Sequence, residues 1–554
     1  MKRAIMGTIL MNCAGWLAFS QSPETPPRFE IADVHVSAKT VNPFVRTGPA
    51  RGGRYEIKNA TMVDLIRIAY GFDADKVLGG PNWLEMDRFD VLAKVPDDST
   101  PEMQKLMLQA LLEDRFKLVV RKESRPLPTY ALTVGKKPQL KEADGKGETG
   151  CHMQTASGPP TEGSVAIIMR GNVNGGPTRI ALGPGMTIEY MCRNMTMEAF
   201  AAGLRSMMGA QVGPNPVLDE TGLKGAWNFD VRWSLGLIGP AADTTGRITI
   251  FEAVDKQLGL KLEQKQVPTP VIVVDSVNEK PSANPPGVAE ALPVTPPPTE
   301  FEVASVKPSD PGGRGGRFQM QPGGRLNAEN MTIGFLIGRA FNTNNSDQVT
   351  GLPKWADTER FDIIAKAPSA EPPGTGVDMD FVAPMMRALL VDRFKMTYHT
   401  EERPVTAYSL VPAKPKMKKA DPASRTYCKY GNAPAGAAPG SQVLNCQNIT
   451  MAQFADRLQN MAPELNWPVL DATGIDGGWD FALTFSRSAG MMMAAGRGGD
   501  TGQLGAGMPA ASDPSGGYTI FEAVEKQLGL KLEMQKRSMP VFVIDHIEQK
   551  PTDN

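Results

Sequence analysis

The chain is written twice. Thr249–Glu263 reads TIFEAVDKQLGLKLE and Thr519–Glu533 reads TIFEAVEKQLGLKLE, agreeing at fourteen of fifteen positions. Whatever architecture the first half adopts, the second must adopt as well, so an unrelated pair of domains is excluded. Other segments match in the same order: FEIADVHVS from Phe29 with FEVASVKPS from Phe301, RFDVLAK from Arg88 with RFDIIAK from Arg360, and ALLEDRFK from Ala110 with ALLVDRFK from Ala388. VLDETGLKGAWNF from Val217 answers VLDATGIDGGWDF from Val469. The spacing predicts two modules, 29–279 and 301–551, joined by a Pro/Ala-rich linker at 280–300. That composition predicts a semi-extended connector with little to pack, and modules that fold independently.

A weaker repeat lies within each module. Asn-x-Thr precedes a helical pattern at Asn59, Asn194, Asn330 and Asn448, and Trp83, Trp227, Trp355 and Trp479 each precede a short strand. A second helix and a strand pair follow each time. The reading is an α+β fold of two tandem modules, each a pseudo-duplicate of a β-α-β-α-β-β sub-unit, with units beginning near Phe29, Met186, Phe301 and Gln442. Each Thr is expected to cap its helix, with Thr249–Glu252 and Thr450–Gln453 as capping boxes; this favours capping over the glycosylation sequon the triplet also spells. Residues 102–116 place Met103, Leu106, Met107, Ala110 and Leu111 on one helical face. Gly259 and Gly529 mark helix ends, and VIVVD (271–275) and VFVID (541–545) read as strands buried on both faces. The segments 157–185, 312–316 and the Gly/Met-rich 487–517 read as loops. In the last, Met491, Met492 and Met493 are most simply part of a functionless insertion.

The N-terminus reads as a secretory signal peptide over 1–20: basic Lys2 and Arg3, an apolar stretch from Ala4 to Phe19, and Ala18-Phe19-Ser20 before a cleavage point. No later stretch is apolar enough to span a membrane, so the mature chain is expected to be exported and without a transmembrane segment. Export permits disulfides. Of the five cysteines, Cys13 lies in the leader; the repeat pairs Cys151 with Cys192 and Cys428 with Cys446, the alternative being free buried thiols. Zinc is disfavoured, because His152 is the only histidine near any of them and no Cys-x-x-Cys occurs.

The 554 residues carry 59 Lys+Arg against 60 Asp+Glu, which removes a global electrostatic case for nucleic acid. No nucleophile elbow, metalloprotease helix, phosphate loop, dinucleotide glycine set or calcium loop appears, and neither a metal nor a cofactor is expected. The four histidines, His35, His152, His399 and His546, stand apart in sequence. Asp90, Asp230 and Asp362 recur after a Phe; alignment on the Trp residues sets Ala482 opposite Asp230, and a structural carboxylate is the simpler reading. Asp114-Arg115 and Asp392-Arg393 read as a solvated pair or a tertiary tie. The basic clusters Lys136-Lys137 and 414–419 read as solvated hairpin ends.

FEVASVKPS, the Asn-x-Thr helix, G-x-P-x-W before RFD, ALLxDRFK, VLDxTG and IFEAVEKQLGLKLE ending in VIDHIEQKP together resemble a Solibacter-type paralogous family of exported proteins, a domain of unknown function expanded in soil acidobacteria. The resemblance covers nearly all of both modules. It implies an exported protein with no assigned activity, and no catalytic residue is carried over. A narrower likeness, confined to one helix and strand, is to short N-terminal domains of secretins and TonB-dependent receptors. The functional expectation is a non-enzymatic binding or interaction module of the cell envelope or exterior, with an unknown partner there. The alternatives are a hydrolase-like enzyme with a site between sub-units and a sensor or structural envelope component. Trp83, Trp227, Trp355 and Trp479 are the candidate binding aromatics.

Overall fold

A computed structural model describes residues 26–40, 43–50, 52–135, 137–153, 165–169, 178–182, 187–212, 215–234, 248–293, 298–310, 315–321, 323–343, 346–368, 378–431, 441–462, 465, 467–486 and 518–553. Residues 1–20, expected above to be a signal peptide, and 487–517 lie outside them. The first sub-unit runs β1 (Ile31–Val36), β2 (Arg46–Thr47), β3 (Arg54–Thr61), α1 (Met62–Tyr70), β4 (Val77–Gly79), β5 (Arg88–Lys94), α2 (Pro101–Phe116) and β6 (Val119–Val134). The second runs β7 (Lys141–Glu142), β8 (Gly150–Met153), a hairpin of β9 (Val165–Met169) and β10 (Thr178–Leu182), then β11 (Thr187–Met195), α3 (Met197–Val212), β12 (Val217–Asp219), β13 (Trp227–Ser234), α4 (Ile250–Leu258) and β14 (Leu260–Ser276). It therefore begins well before Met186, and part of the stretch read as a loop at 157–185 is a paired hairpin.

After a short linker helix, α5 (Val288–Ala291), the third sub-unit supplies β15 (Val303–Pro308), β16 (Arg317–Gln321), β17 (Arg325–Thr332), α6 (Ile333–Ala340), β18 (Val349–Thr350), β19 (Arg360–Lys366), α7 (Met379–Arg393) and β20 (Thr397–Pro412). The fourth supplies β21 (Lys418–Lys419), β22 (Tyr427–Gly431), β23 (Ser441–Ile449), α8 (Met451–Met461), β24 (Val469–Asp471), β25 (Trp479–Ser486), α9 (Ile520–Ala523, continued by a π turn over Val524–Leu528) and β26 (Leu530–His546). The four outer sheets have one layout: β1-β5-β3-β2, β7-β13-β11-β8, β15-β19-β17-β16 and β21-β25-β23-β22. The chain is thus an α+β protein of two modules, each doubled.

The closing strand pair of each sub-unit is in fact one long strand. LKLE and VIVVD are the two ends of β14, 17 residues long, and β14 pairs antiparallel with the 16-residue β6 from Leu260 opposite Val134 to Ser276 opposite Val119. β4 joins the far end of β14, and β12 joins the far end of β6, both in parallel. The sub-units therefore exchange strand ends. Ile272 and Val274 of β14 sit in the core of the first sub-unit, and Tyr130 and Leu132 of β6 sit in the core of the second. The second module repeats this: Ile544 of β26 packs with the third sub-unit, and Tyr408 and Leu410 of β20 with the fourth. Val271–Val274 are all buried, as expected of a strand covered on both faces.

Prolines are tolerated in this ribbon because of their register. Pro126 faces Pro268, Pro128 faces Gln266 and Ser124 faces Pro270. These pairs all have one parity, at which an antiparallel ladder needs no N–H from either residue.

Among the helices, all four Asn-x-Thr threonines cap: Thr61, Thr196, Thr332 and Thr450 accept from the amide three residues on. Thr249–Glu252 and Thr450–Gln453 form full capping boxes, and Gly259 and Gly529 close their helices in the left-handed region. In α2 the buried face is Gln104, Met107, Leu108, Ala110, Leu112, Arg115 and Phe116, with Met103 and Leu111 packed at its margin and Leu106 exposed. The sequence pattern found most of that face; it included the exposed Leu106 and missed Gln104 and Arg115, whose polarity hides them from a hydrophobic periodicity.

The linker is packed, contrary to its composition. Asn284 accepts from the Val34 amide (3.0 Å) and from Arg115 (2.6 Å) and donates to Asp33 (2.5 Å). Val288 and Leu292 are buried against Leu92 and Ile31. Three polar side chains supply the anchorage that proline-rich composition hides.

Candidate functional site

The recurring polar residues were the first candidates for chemistry, and the structure shows what each does. Asn59, Asn194, Asn330 and Asn448 all have positive φ (47–57°) and sit where the register slips between two sheet strands. Each is a bulge residue in a conformation Asn tolerates better than other side-chained residues. Its amide donates to one acceptor on the neighbouring strand: Asp90 (2.8 Å), Asn228 (2.9 Å), Asp362 (2.8 Å) and Asp480 (2.9 Å). Its side-chain amide donates to the preceding loop, for example from Asn448 to Ser424 O at 2.6 Å. The equivalence therefore runs Asp90, Asn228, Asp362, Asp480. The fourth sub-unit has the acid, and Asp230, ion-paired with Arg193 at 2.7 Å, is not a member of the set. With Asn59, Asn194 and Asn448 buried, capping rather than glycosylation accounts for these triplets.

The same register separates the tryptophans into two kinds. Trp227 and Trp479 start their strands opposite Met195 and Ile449, the places that Phe89 and Phe361 hold opposite Ala60 and Met331. Trp83 and Trp355 lie earlier, in short turns at Asn82–Glu85 and Lys354–Asp357. All four pack against four different cores and do not converge. The cysteines do come together: Cys151 faces Cys192 and Cys428 faces Cys446 on adjacent strands, at disulfide distance with Cα separations of 4.0 and 4.1 Å. They join equivalent strands of the second and fourth sub-units.

One cluster has the residue types of acid–base chemistry. His35 stands between Asp33 (Nδ1–O 3.3 Å) and Asp90 (Nε2–O 3.6 Å), and Ser37 donates to Asp90 at 2.5 Å. The bond to Asp90, with Asp33 adding to it against the opposing effect of burial, raises the imidazole pKa to about 8. A base that activates a serine needs one ring nitrogen facing that serine. Here both nitrogens face carboxylates and Ser37 bonds the acid, so the group is a cation tying strands together. His399 is similar: it lies between Asp545 (2.9 Å) and Glu401 (3.6 Å), which raise its pKa, and it stands where Arg121 pairs with Asp275 in the first module. Among the described residues no group of His, Cys, Asp or Glu is placed to hold a metal.

Two features escaped the sequence reading. The modules meet through half-buried charge. Glu85 accepts from Arg425 (3.2 Å) and Lys429 (2.7 Å); Arg425 also donates to Val77 O and Gly79 O, both at 2.7 Å; Arg46 bridges Asp378 (2.6 Å) and Asp380 (2.9 Å). No short motif announces such contacts, since each partner lies some 340 residues away. The second feature is an asymmetry between outer sheet faces. Leu92, opposite Asp33, is 5% exposed beneath α5. Its counterpart Ile364, opposite Ser305, is 37% exposed, and Val303, the counterpart of Ile31, is 70% exposed.

A family model described as "Protein of unknown function (DUF3738)" matches residues 63–277 and again 335–547. The chain belongs to the DUF3738 family. It carries the family's domain in two copies, each opening at a first helix (α1, α6) and closing at a ribbon strand (β14, β26). No curated protein and no solved structure matches it. The DUF3738 match assigns no activity, so function must be argued from this chain's own surfaces. No helix among the described residues is long and apolar enough to cross a membrane.

Proposed function

We propose that this is an exported, non-enzymatic interaction protein of the cell envelope or exterior, with modules at 29–279 and 301–551, and that it belongs to the Solibacter-type paralogous group within its family. The observation that carries the binding reading is the bare apolar face of the third sub-unit, Val303 and Ile364, at the place where the first sub-unit is covered. The equivalent face of the first module is covered by Val288 and Leu292, which supports reading the open face as a contact surface. The two cysteine pairs and the leader-like N-terminus support export. The recurring acids favour binding over hydrolysis, because they are occupied with backbone amides and strand ties.

The test is affinity capture by the mature chain from its own cell envelope, run beside esterase, peptidase and glycosidase assays. The expected result is a specific, saturable partner and no turnover. Turnover abolished by His35→Asn or Asp90→Asn would replace this reading with the hydrolase one.

A further inference from the structure

We infer that the outer face of β15 and β19 is a docking surface for a short, Pro-flanked helix with two aliphatic residues four apart, supplied by a different polypeptide chain. The inference rests on the interaction reading above and names the chemistry of the partner.

The first module shows what such a face accepts. Its chain leaves β14, bonds Asn278 N to Phe116 O (2.7 Å) and Ser282 N to Arg115 O (2.8 Å), and is hooked by Asn284. Pro285 and Pro286 follow, Gly287 turns with φ 83°, and α5 sets Val288 and Leu292 on Leu92 and Ile31. Arg54 reaches the Pro293 carbonyl at 3.5 Å.

The second module builds the same approach. Glu548 N bonds Phe394 O (2.8 Å) and Thr552 N bonds Arg393 O (2.8 Å). Arg393 reaches Ala304 O at 3.4 Å, as Arg115 reaches Ala32 O at 3.3 Å. The strand register is identical, with Ser305 opposite Ile364 as Asp33 is opposite Leu92. Arg325 holds the place of Arg54 in the sheet, opposite Lys366 as Arg54 is opposite Lys94. Among the described residues nothing takes the place of Val288 and Leu292, so Val303 and Ile364 stay open.

The margins select the occupant further. Alternation along the strands puts Lys307, Arg325 and Lys366 on this face with Val303 and Ile364, together with an exposed acid, Glu329, which accepts from Asn327 at 2.8 Å. Asp362 is taken up by Ser309 (2.6 Å) and by the Asn330 amide (2.8 Å). An acidic side chain one helical turn before the first aliphatic or after the second, and so on the same helix face, complements that rim. The chain's own α5 is already seated on Leu92, and a second copy could donate its strap only by uncovering its own first module. A separate polypeptide carries neither cost.

The experiment titrates the full mature chain with a labelled peptide of residues 284–293 (NPPGVAEALP) carrying a photoreactive leucine at the Leu292 position. Expected are saturable one-to-one binding, cross-links to β15 and β19, and affinity reduced about tenfold or more by Ile364→Glu. Val303→Glu, at a still more exposed site, serves if the first variant folds poorly by circular dichroism. A peptide with both aliphatics replaced by Asp should not bind. Absence of saturation, affinity unchanged in both variants, or cross-links at Leu92 would overturn the inference. So would a concentration-dependent dimer lost on Val288→Asp, which would assign the face to a second copy. If envelope partners are still captured by Ile364→Glu, the interaction reading stands and this inference alone fails.

Discussion

The first and second sub-units put different residues at one helical position, and the difference shows what the repeat keeps and what it leaves free. Both second helices end on a left-handed residue, Lys117 or Gly259, and two residues earlier stands Arg115 or Gln257. In the first sub-unit β1 covers the whole of β5, and Arg115 reaches across it to Ala32 O (3.3 Å), Ser282 O (2.5 Å) and Asn284 (2.6 Å). In the second, β7 covers only the start of β13, and Gln257 occupies the bare edge instead, accepting from Arg232 N (2.9 Å) and donating to Arg232 O (2.6 Å). Gln527 does the same for Thr484 in the fourth sub-unit at 2.9 and 2.6 Å. One scaffold position therefore serves whichever edge is next to it: a guanidinium long enough to cross a strand, or an amide that imitates one. This also explains the glutamine inside the near-identical AVxKQLGL segments.

Replacing Arg115 should break the comparison most strongly. Arg115→Ala leaves three oxygen acceptors without a buried partner, and a loss of about 3 kcal/mol is expected in urea unfolding. Arg115→Gln should recover little of it, because β1 already occupies the edge a glutamine would bond; recovery to near wild type would mean the two positions are interchangeable. Next comes the strap. Val288→Asp, which buries a charge against Leu92, should cost about 2 kcal/mol locally and expose the linker to proteolysis near Pro285, with β13 peptides unaffected. Gln257→Ala removes two hydrogen bonds at a partly exposed edge and should cost about 1 kcal/mol, with faster amide exchange at Arg232.

The smallest effect concerns pH. The folded-state pKa of His35, about 8, lies above its ordinary 6.5. Its stabilisation is therefore complete below about pH 6.5 and is lost as pH rises through about 8. His35→Asn should flatten that loss between about pH 6 and pH 9 without changing the profile of the second module, where Lys307 holds the equivalent place. An unchanged pH slope would remove His35 from the tie between β1 and β5.

How much was legible follows from which interactions are local. Threonine caps, glycine helix ends and the paired cysteines act within a few residues or follow from the repeat, and these could be read. The bulge acceptors could not be aligned, because an aromatic stands before both Asp90 and Asp230 and the tryptophans offered a false register. The exchanged strand was hidden by its own middle. QKQVPTP between LKLE and VIVVD has the polarity and prolines of a turn, and only the parity of its partners makes it a strand. The anchorage of the linker's Asn284 by Asp33 and Arg115 and the half-buried Glu85 clamp depend on long-range partners that no pattern displays.

The central claim is that paired sub-units share their cores by exchanging strand ends, so that a sub-unit is a unit of sequence and not of folding. The direct measurement is to produce residues 26–134 and 137–293 separately and follow each by circular dichroism and amide exchange, alone and mixed. Without the other fragment, the first lacks Ile272 and Val274 and the second lacks Tyr130 and Leu132, so each is expected to be unfolded alone and to gain cooperative structure in a one-to-one mixture. Cooperative folding of either fragment by itself would contradict the account.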